Sequence, residues 1–239
     1  MNLQGTQITW LGHGTFLVKT PDGKTTLIDP WTLGNPACPA DKKHVGKLDN
    51  MLITHGHFDH IGDVIAVAQE SQPSHVVGIA EMAGWLASKG VANTLGMNKG
   101  GTFDLGGLKV TMVHADHSCG ITDGEATVYG GEAVGYILTV ANGPIIYVAG
   151  DTNVFSDMAI YADLYQPQIA LLPIGDFYTM GPREAAYAAK LLRVGTIIPA
   201  HFATFPALTG TPAALHAALA EFGLGSVEIA ELHPGQTLG

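Results

Sequence analysis

Within Thr54-His55-Gly56-His57-Phe58-Asp59-His60, three histidines and one aspartate share six consecutive positions, directly after a short apolar run at 51–54. On an extended segment, side chains two apart point the same way, so His55 and His57 can face one point. Asp59 and His60 fall where a helix begins, and the turned chain offers them from a second direction. Gly56 permits a sharp backbone path between the first two histidines. A loop that is histidine-rich by accident would not place this spacing at a strand end. The segment predicts a strand, a turn and a helix gathered around a metal site.

The rest of the chain supplies a core large enough to hold such a site. Of 239 residues, 46% are hydrophobic and only 13% charged, about half the usual charged share, which excludes a disordered chain. The 11 basic against 21 acidic residues give a formal charge of −10. With two arginines, Arg183 and Arg193, and scattered lysines, the chain lacks the basic cluster that phosphate neutralisation requires, so no nucleic-acid partner is expected. Cys38 and Cys119 form neither a disulfide framework nor a C-x-x-C pair. The opening MNLQGTQITW has no basic region followed by an apolar run, which points to a cytoplasmic address. Two uncharged stretches, 133–150 and 194–220, are broken by Asn142-Gly143-Pro144 and by Pro199, Pro206 and Pro212, so no integral membrane segment is expected.

Periodicity predicts strands at 7–12, 15–20, 25–28 and 49–54, then helices over 59–70 and 79–88. Strands resume at 102–104, 108–114, 134–140 and 144–149. The second half alternates helix 154–164, strand 168–172, helix 183–192, strand 196–199, helix 212–222 and strand 227–230. Early hairpins followed by strand–helix units describe an α/β layered protein. No linker or repeat divides it, so one domain over 1–239 is expected.

The His-x-His-x-Asp-His signature resembles the metallo-β-lactamase superfamily of metal-dependent hydrolases. That resemblance implies an αββα sandwich, two mixed sheets packed together with helices outside. It also implies further ligands at matching positions: His117 in His114-Ala115-Asp116-His117-Ser118, Asp151 in Ala149-Gly150-Asp151-Thr152, and His201 in Pro199-Ala200-His201-Phe202. His55, His57 and His117 would hold one ion, Asp59, His60 and His201 a second, and Asp151 would bridge them. Nitrogen and carboxylate donors without thiolate suit two divalent ions, zinc first, with manganese or iron as alternatives. His114 competes with His117, although the downstream Gly135-Tyr136 spacing favours the latter. Asp151 has a second reading as the N-cap of the helix expected at 154–164.

A narrower resemblance covers Trp10-Leu11-Gly12-His13-Gly14-Thr15-Phe16, Leu27-Ile28-Asp29-Pro30-Trp31 and the segments 172–182 and 198–206. These are similar to metal-dependent hydrolases related to the ascorbate-6-phosphate lactonase group. Asp29 would accept a hydrogen bond from a ligand histidine, or serve only the turn before Pro30. His13 would reach the metals or sit as a satisfied structural histidine. Asp176, Tyr178 and Thr204 would touch substrate, or satisfy local backbone.

The function implied is a binuclear metal-dependent hydrolase acting on an ester, lactone or phosphoester of a small molecule. A metal-bridging hydroxide would attack, and Asp151 would orient it or take its proton, with Asp59 as the second catalytic carboxylate. The alternatives are a phosphodiesterase for lipid-like or nucleotide substrates and a non-catalytic metal-binding sensor. Alanine-rich helical runs at 185–189 and 213–220, together with the low charge, are compatible with a homo-oligomer.

Overall fold

Alternate residues of the central strands go to opposite faces, and this period-2 division builds the layers. The computed structural model describes residues 2–239. Its first half runs β1 (Gln7–Gly12), β2 (Thr15–Lys19), β3 (Thr25–Ile28), β4 (Asn50–Leu52), α1 (Phe58–Ile61), α2 (Val64–Ser71), β5 (His75–Ile79), α3 (Ala80–Ser88) and β6 (Thr94–Met97). There follow β7 (Thr102–Asp104), β8 (Leu108–His114), β9 (Gly120–Asp123), β10 (Ala126–Tyr129), β11 (Val134–Val140) and β12 (Ile145–Val148). The chain finishes with α4 (Met158–Tyr165), β13 (Ile169–Pro173), α5 (Pro182–Leu192), β14 (Thr196–Ala200), α6 (Pro212–Glu221), β15 (Glu228–Ile229) and β16 (Thr237–Leu238).

Two seven-stranded sheets result, ordered β16-β1-β2-β3-β4-β5-β6 and β15-β14-β13-β12-β11-β8-β7, with β9 and β10 as a separate hairpin. Both are mixed: antiparallel pairing gives way to parallel pairing after β3 in one and after β12 in the other. Tyr136, Leu138, Ile146, Val148, Ile169, Leu171 and Ile198 join the core between the sheets, with Ile8, Leu27 and Met51 from the first sheet. Their neighbours Ile137, Tyr147, Ala170, Leu172 and Ile197 face the other way, against Met158 and Tyr161 of α4, the alanines of α5 and Leu215 of α6. The expected αββα sandwich is therefore present. Strands buried on both faces read as continuous apolar runs, as in Ile169–Pro173 and Thr196–Ala200.

Among the described residues no helix is long and apolar enough to cross a membrane. The stretch 133–150 is instead β11, a turn and β12, and 194–220 is β14, a loop and α6.

Several elements depart from the sequence reading for tertiary reasons. The helix expected over 59–70 is broken into α1 and α2 at Gly62-Asp63, where the Asp63 carboxylate accepts from the Gly34 N–H at 2.9 Å. A Cβ at Gly62 would collide with the Phe58 carbonyl oxygen, so the tight turn needs glycine. The sequence reading assigns no element to 75–78 and starts a helix at 79, whereas β5 occupies His75–Ile79 and α3 begins at Ala80. Parallel pairing with β4 and β6 makes this segment a strand. The helix expected at 154–164 begins only at Met158, with Asp157 at its N-cap, which removes the capping role considered for Asp151.

Candidate metal centre

Within each sheet, parallel strands end on the same side and deliver polar residues there. In the first sheet β1, β3 and β4 lead into His13, Asp29 and Thr54–His60; in the second β8, β12 and β14 lead into His117, Asp151 and His201. His13, Asp29 and His201 take left-handed backbone conformations, at φ of 55°, 49° and 54°. Non-glycine residues seldom do so, and such strain collects at functional sites. It lets the chain reverse within a residue or two of the strand end and aim the side chain across it.

Two main groups of donor atoms result, and Asp29, His55 and His60 form a third that overlaps both. His55 Nε2 lies 3.1 Å from His57 Nδ1, and His117 Nε2 lies 3.3 Å from the same Nδ1. The second group holds His13, Asp59, His60 and His201, with donor atoms all within 4.8 Å of one another. Asp151 stands between them. Its Oδ1 is 3.3 Å from His60 Nε2, and its Oδ2 is 3.0, 3.7 and 3.9 Å from the Nε2 atoms of His201, His117 and His55. Gly56 has an ordinary φ and is required for another reason than the one expected. A Cβ there would press on Ile121 of β9 and the Cys119 carbonyl, so glycine lets the hairpin close onto the histidine loop.

Burial pushes His55 well below the usual histidine range, aided by neighbouring His60, and it lowers His57 and His117 as well. These three rings are neutral and offer lone pairs. In the second group burial again lowers the histidines, but at His60 and His201 the Asp151 charge overrides it. His60 is raised well above the usual value, with Asp29 contributing, and His201 is raised to about 9. Burial also works against the Asp151 charge, yet His201 and His60 hold the carboxyl far below its usual range. Asp59 is held low against burial by contact with His13 and His201, while burial pushes His13 down to about 4. The carboxylates thus draw positive charge to the point where both groups meet.

The donors fit divalent cations. His60 Nε2 and both ring nitrogens of His201 are buried without an aligned hydrogen-bond partner, an arrangement that ordinarily costs about 1–3 kcal/mol per group. A cation between these nitrogens and Asp151 would satisfy His60 Nε2 and His201 Nε2 together. Nitrogen and carboxylate donors without thiolate suit zinc, manganese or iron.

Around the donors, Asp29 accepts from the Thr54 N–H at 2.8 Å, the Thr54 hydroxyl at 2.7 Å and His60 Nδ1 at 2.8 Å. This is the histidine-orienting contact expected of it. His13 is fully buried with its Nε2 2.9 Å from Asp59 Oδ2, and its carbonyl accepts from the His201 N–H at 3.0 Å. It belongs to the cluster. His114 points away, its ring against Phe155 with centroids 5.0 Å apart.

A cavity of about 660 Å³ opens over the donors, lined by His57, Asp59, His117, Asp151 and His201 together with Phe58, Ser118, Thr122, Tyr178, Phe205, Pro206 and Ala207. Tyr178 lines it. Asp176 and Thr204 do not: the Asp176 carboxylate accepts from the Phe177 N–H at 2.7 Å, and the Thr204 hydroxyl turns to the Phe202 carbonyl. Both satisfy local backbone, and nearness in sequence to the site does not bring them into it. Sequence reasoning passed over Phe58 and Phe205, although both lie inside quoted motifs. It also missed Thr122, because the β9–β10 hairpin is too short to show a period.

Loops after β13 and β14 interlock beneath His201. A Cβ at Gly175 would overlap the His201 carbonyl oxygen, and one at Gly210 the Ile174 carbonyl oxygen. Gly175→Ala is expected to cost about 3 kcal/mol, read as a lower urea midpoint, and to reduce ion content by shifting His201. An unchanged midpoint would show that the two loops are free to part.

Comparison with known proteins agrees with this geometry. The family model described as Beta-lactamase superfamily domain matches residues 24–202, which include every cluster residue except His13. The chain is 58% identical over 237 residues to a UPF0173 metal-dependent hydrolase of Koribacter versatilis, covering 99% of each. It is 55% identical over 206 residues to another from Solibacter usitatus, covering 86% of this chain and 89% of the relative. Among solved structures it is similar to Igni18, a metallo hydrolase from the hyperthermophilic archaeon Ignicoccus hospitalis. That match has 32% identity and a TM-score of 0.84, covering 98% of this chain and 97% of the other.

Proposed function

We propose that this chain, which belongs to the metallo-β-lactamase superfamily of metal-dependent hydrolases, uses two divalent ions to cleave an ester, lactone or phosphoester of a small molecule. The observation that carries the reading is Asp151, whose carboxylate meets His60 and His201 of one donor group and lies within 3.9 Å of His55 and His117 of the other. His55 Nε2, His57 Nδ1 and His117 Nε2 would hold one ion; Asp59 Oδ2, His60 Nε2 and His201 Nε2 would hold the other. Bound divalent ions supply an acidified water as nucleophile and Lewis-acid polarisation of the substrate oxygen.

The protein's own groups do the rest. Asp29 accepts a hydrogen bond from the His60 Nδ1–H, which leaves the Nε2 lone pair to face an ion. Neutral His13 donates its Nε2–H to Asp59, since a carboxylate only accepts, and so fixes the orientation of that carboxylate. Asp151 lines the cavity floor and is placed to orient the nucleophile or take its proton. His13 is sealed beneath Asp59 and cannot reach a leaving group, whereas the Tyr178 ring lines the cavity.

Chelation followed by titration with Zn²⁺ or Mn²⁺ tests the reading on paired panels of lactones and aryl phosphodiesters. Turnover is expected to appear with added ion and to saturate at two equivalents per chain. Full activity at one equivalent would overturn the two-ion assignment. No turnover on either panel, with ions bound, would favour a sensor.

A further inference from the structure

The cavity that opens over the donor cluster has walls of one chemical kind. Phe58, Tyr178, Phe205, Pro206 and Ala207 form them. Two of these are fixed by an aromatic cluster, with Trp31 5.9 Å from Phe58 and 6.0 Å from Phe205 between ring centroids. Ser118, Thr122 and the Tyr178 hydroxyl add neutral polar groups beside the rings of His57 and His117, and among the described residues neither lysine nor arginine lines the space. Both arginines are engaged on the surface, Arg183 with Glu221 and Arg193 with Asp163. At about 660 Å³ the space falls within the roughly 300–1,000 Å³ usual for small-molecule sites.

We infer that the substrate is a neutral carboxylic ester or lactone whose acyl part carries an uncharged apolar arm, alkyl or aryl, seated against these walls. The inference rests on the hydrolase reading above and narrows it. A second anionic group at the far end of the arm, whether phosphate or carboxylate, would be desolvated against Phe58, Phe205, Pro206 and Ala207 with no lysine or arginine of the described lining to meet it. The reaction consumes one water: its oxygen bonds to the acyl carbon, the bond from that carbon to the alkoxy oxygen breaks, and carboxylate, alcohol and one proton are released.

Mn²⁺-loaded protein is assayed on p-nitrophenyl acetate, butyrate and hexanoate and on the mono-p-nitrophenyl ester of adipic acid. Binding of butyramide, hexanamide and adipamic acid is measured in parallel by calorimetry, without turnover. Expected is a rise in kcat/KM of roughly fifteenfold at each two-carbon step, from about fourfold per methylene, with the adipate ester at least tenfold below hexanoate. The amides should follow the same order of affinity. Phe58→Ala removes a ring that is 61% exposed, so folding is preserved, and it should flatten the chain-length slope at unchanged ion content. Turnover that is flat in chain length, or an adipate ester equal to hexanoate, would overturn the apolar arm and leave the hydrolase standing. Amides that bind in the expected order without ester turnover would sustain the arm and overturn ester hydrolysis.

Discussion

In the Asp151→Asn protein hydrolysis falls by about a thousandfold, and the rise in Tm on adding Zn²⁺ or Mn²⁺ shrinks or disappears. The amide has nearly the volume of the carboxylate, so little packing is lost. What changes is charge and acceptor count at the point shared by both donor groups. Asp151 lies within 3.9 Å of four histidine Nε2 atoms, and Asp59 is the only other carboxylate lining the cavity floor. With asparagine, two dications would be balanced there by one carboxylate instead of two. The amide NH₂ would also face the side that needs an acceptor. A ligand that binds only the folded state raises Tm by mass action, so the lost Tm gain reports the site even when no substrate is known. Wild-type rate and ion content in Asp151→Asn would remove Asp151 from the centre.

The parts of this site that were legible in sequence are those whose geometry is set locally. His55, His57, Asp59 and His60 lie within six positions of one chain segment, and strand and helix periods alone bring them to one place. The contact between His13 and Asp59 spans 46 positions and that between Asp29 and Thr54 spans 25. Such contacts depend on which strands become neighbours, and periodicity does not encode that. The two readings considered for Asp29 were separated only by the β3–β4 pairing that sets it beside Thr54. The same limit explains the misread elements. α1 and α2 part because Gly34, from a distant loop, uses the Asp63 carboxylate. Asp176 and Thr204 lay within a few residues of site segments, yet each found a backbone partner first. The cavity walls were hidden for a different reason: apolar side chains such as Phe58 and Phe205 read as core until the fold leaves one face open.

Asp29 separates the supporting structure from the chemistry, because its carboxylate serves both donor groups through hydrogen bonds to His60 and Thr54. It holds His60 through Nδ1, and it holds Thr54, whose hydroxyl is 3.0 Å from His55 Nδ1. Asp29→Ala would strand three buried donors, the Thr54 N–H, the Thr54 hydroxyl and His60 Nδ1. Removing one partner of a buried charged contact costs about 3–5 kcal/mol, so the urea midpoint should fall steeply. Asp29→Asn distinguishes structure from tuning. Asparagine tolerates the left-handed backbone at φ 49°, and its carbonyl can still accept from Thr54. Only the Thr54 N–H, which meets Oδ1, keeps its acceptor. The NH₂ replaces Oδ2, the oxygen that meets both His60 Nδ1 and the Thr54 hydroxyl, so a donor faces His60 and the hydroxyl must turn to accept. His60 must then move its proton to Nε2, the atom proposed as ligand. Asp29→Asn should therefore keep most of the stability while ion affinity drops about 10- to 100-fold, read by competition with a chromophoric chelator. Equal losses of stability and affinity in both variants would make Asp29 a folding residue only. Unchanged affinity in Asp29→Asn would show that His60 does not take its tautomer from Asp29.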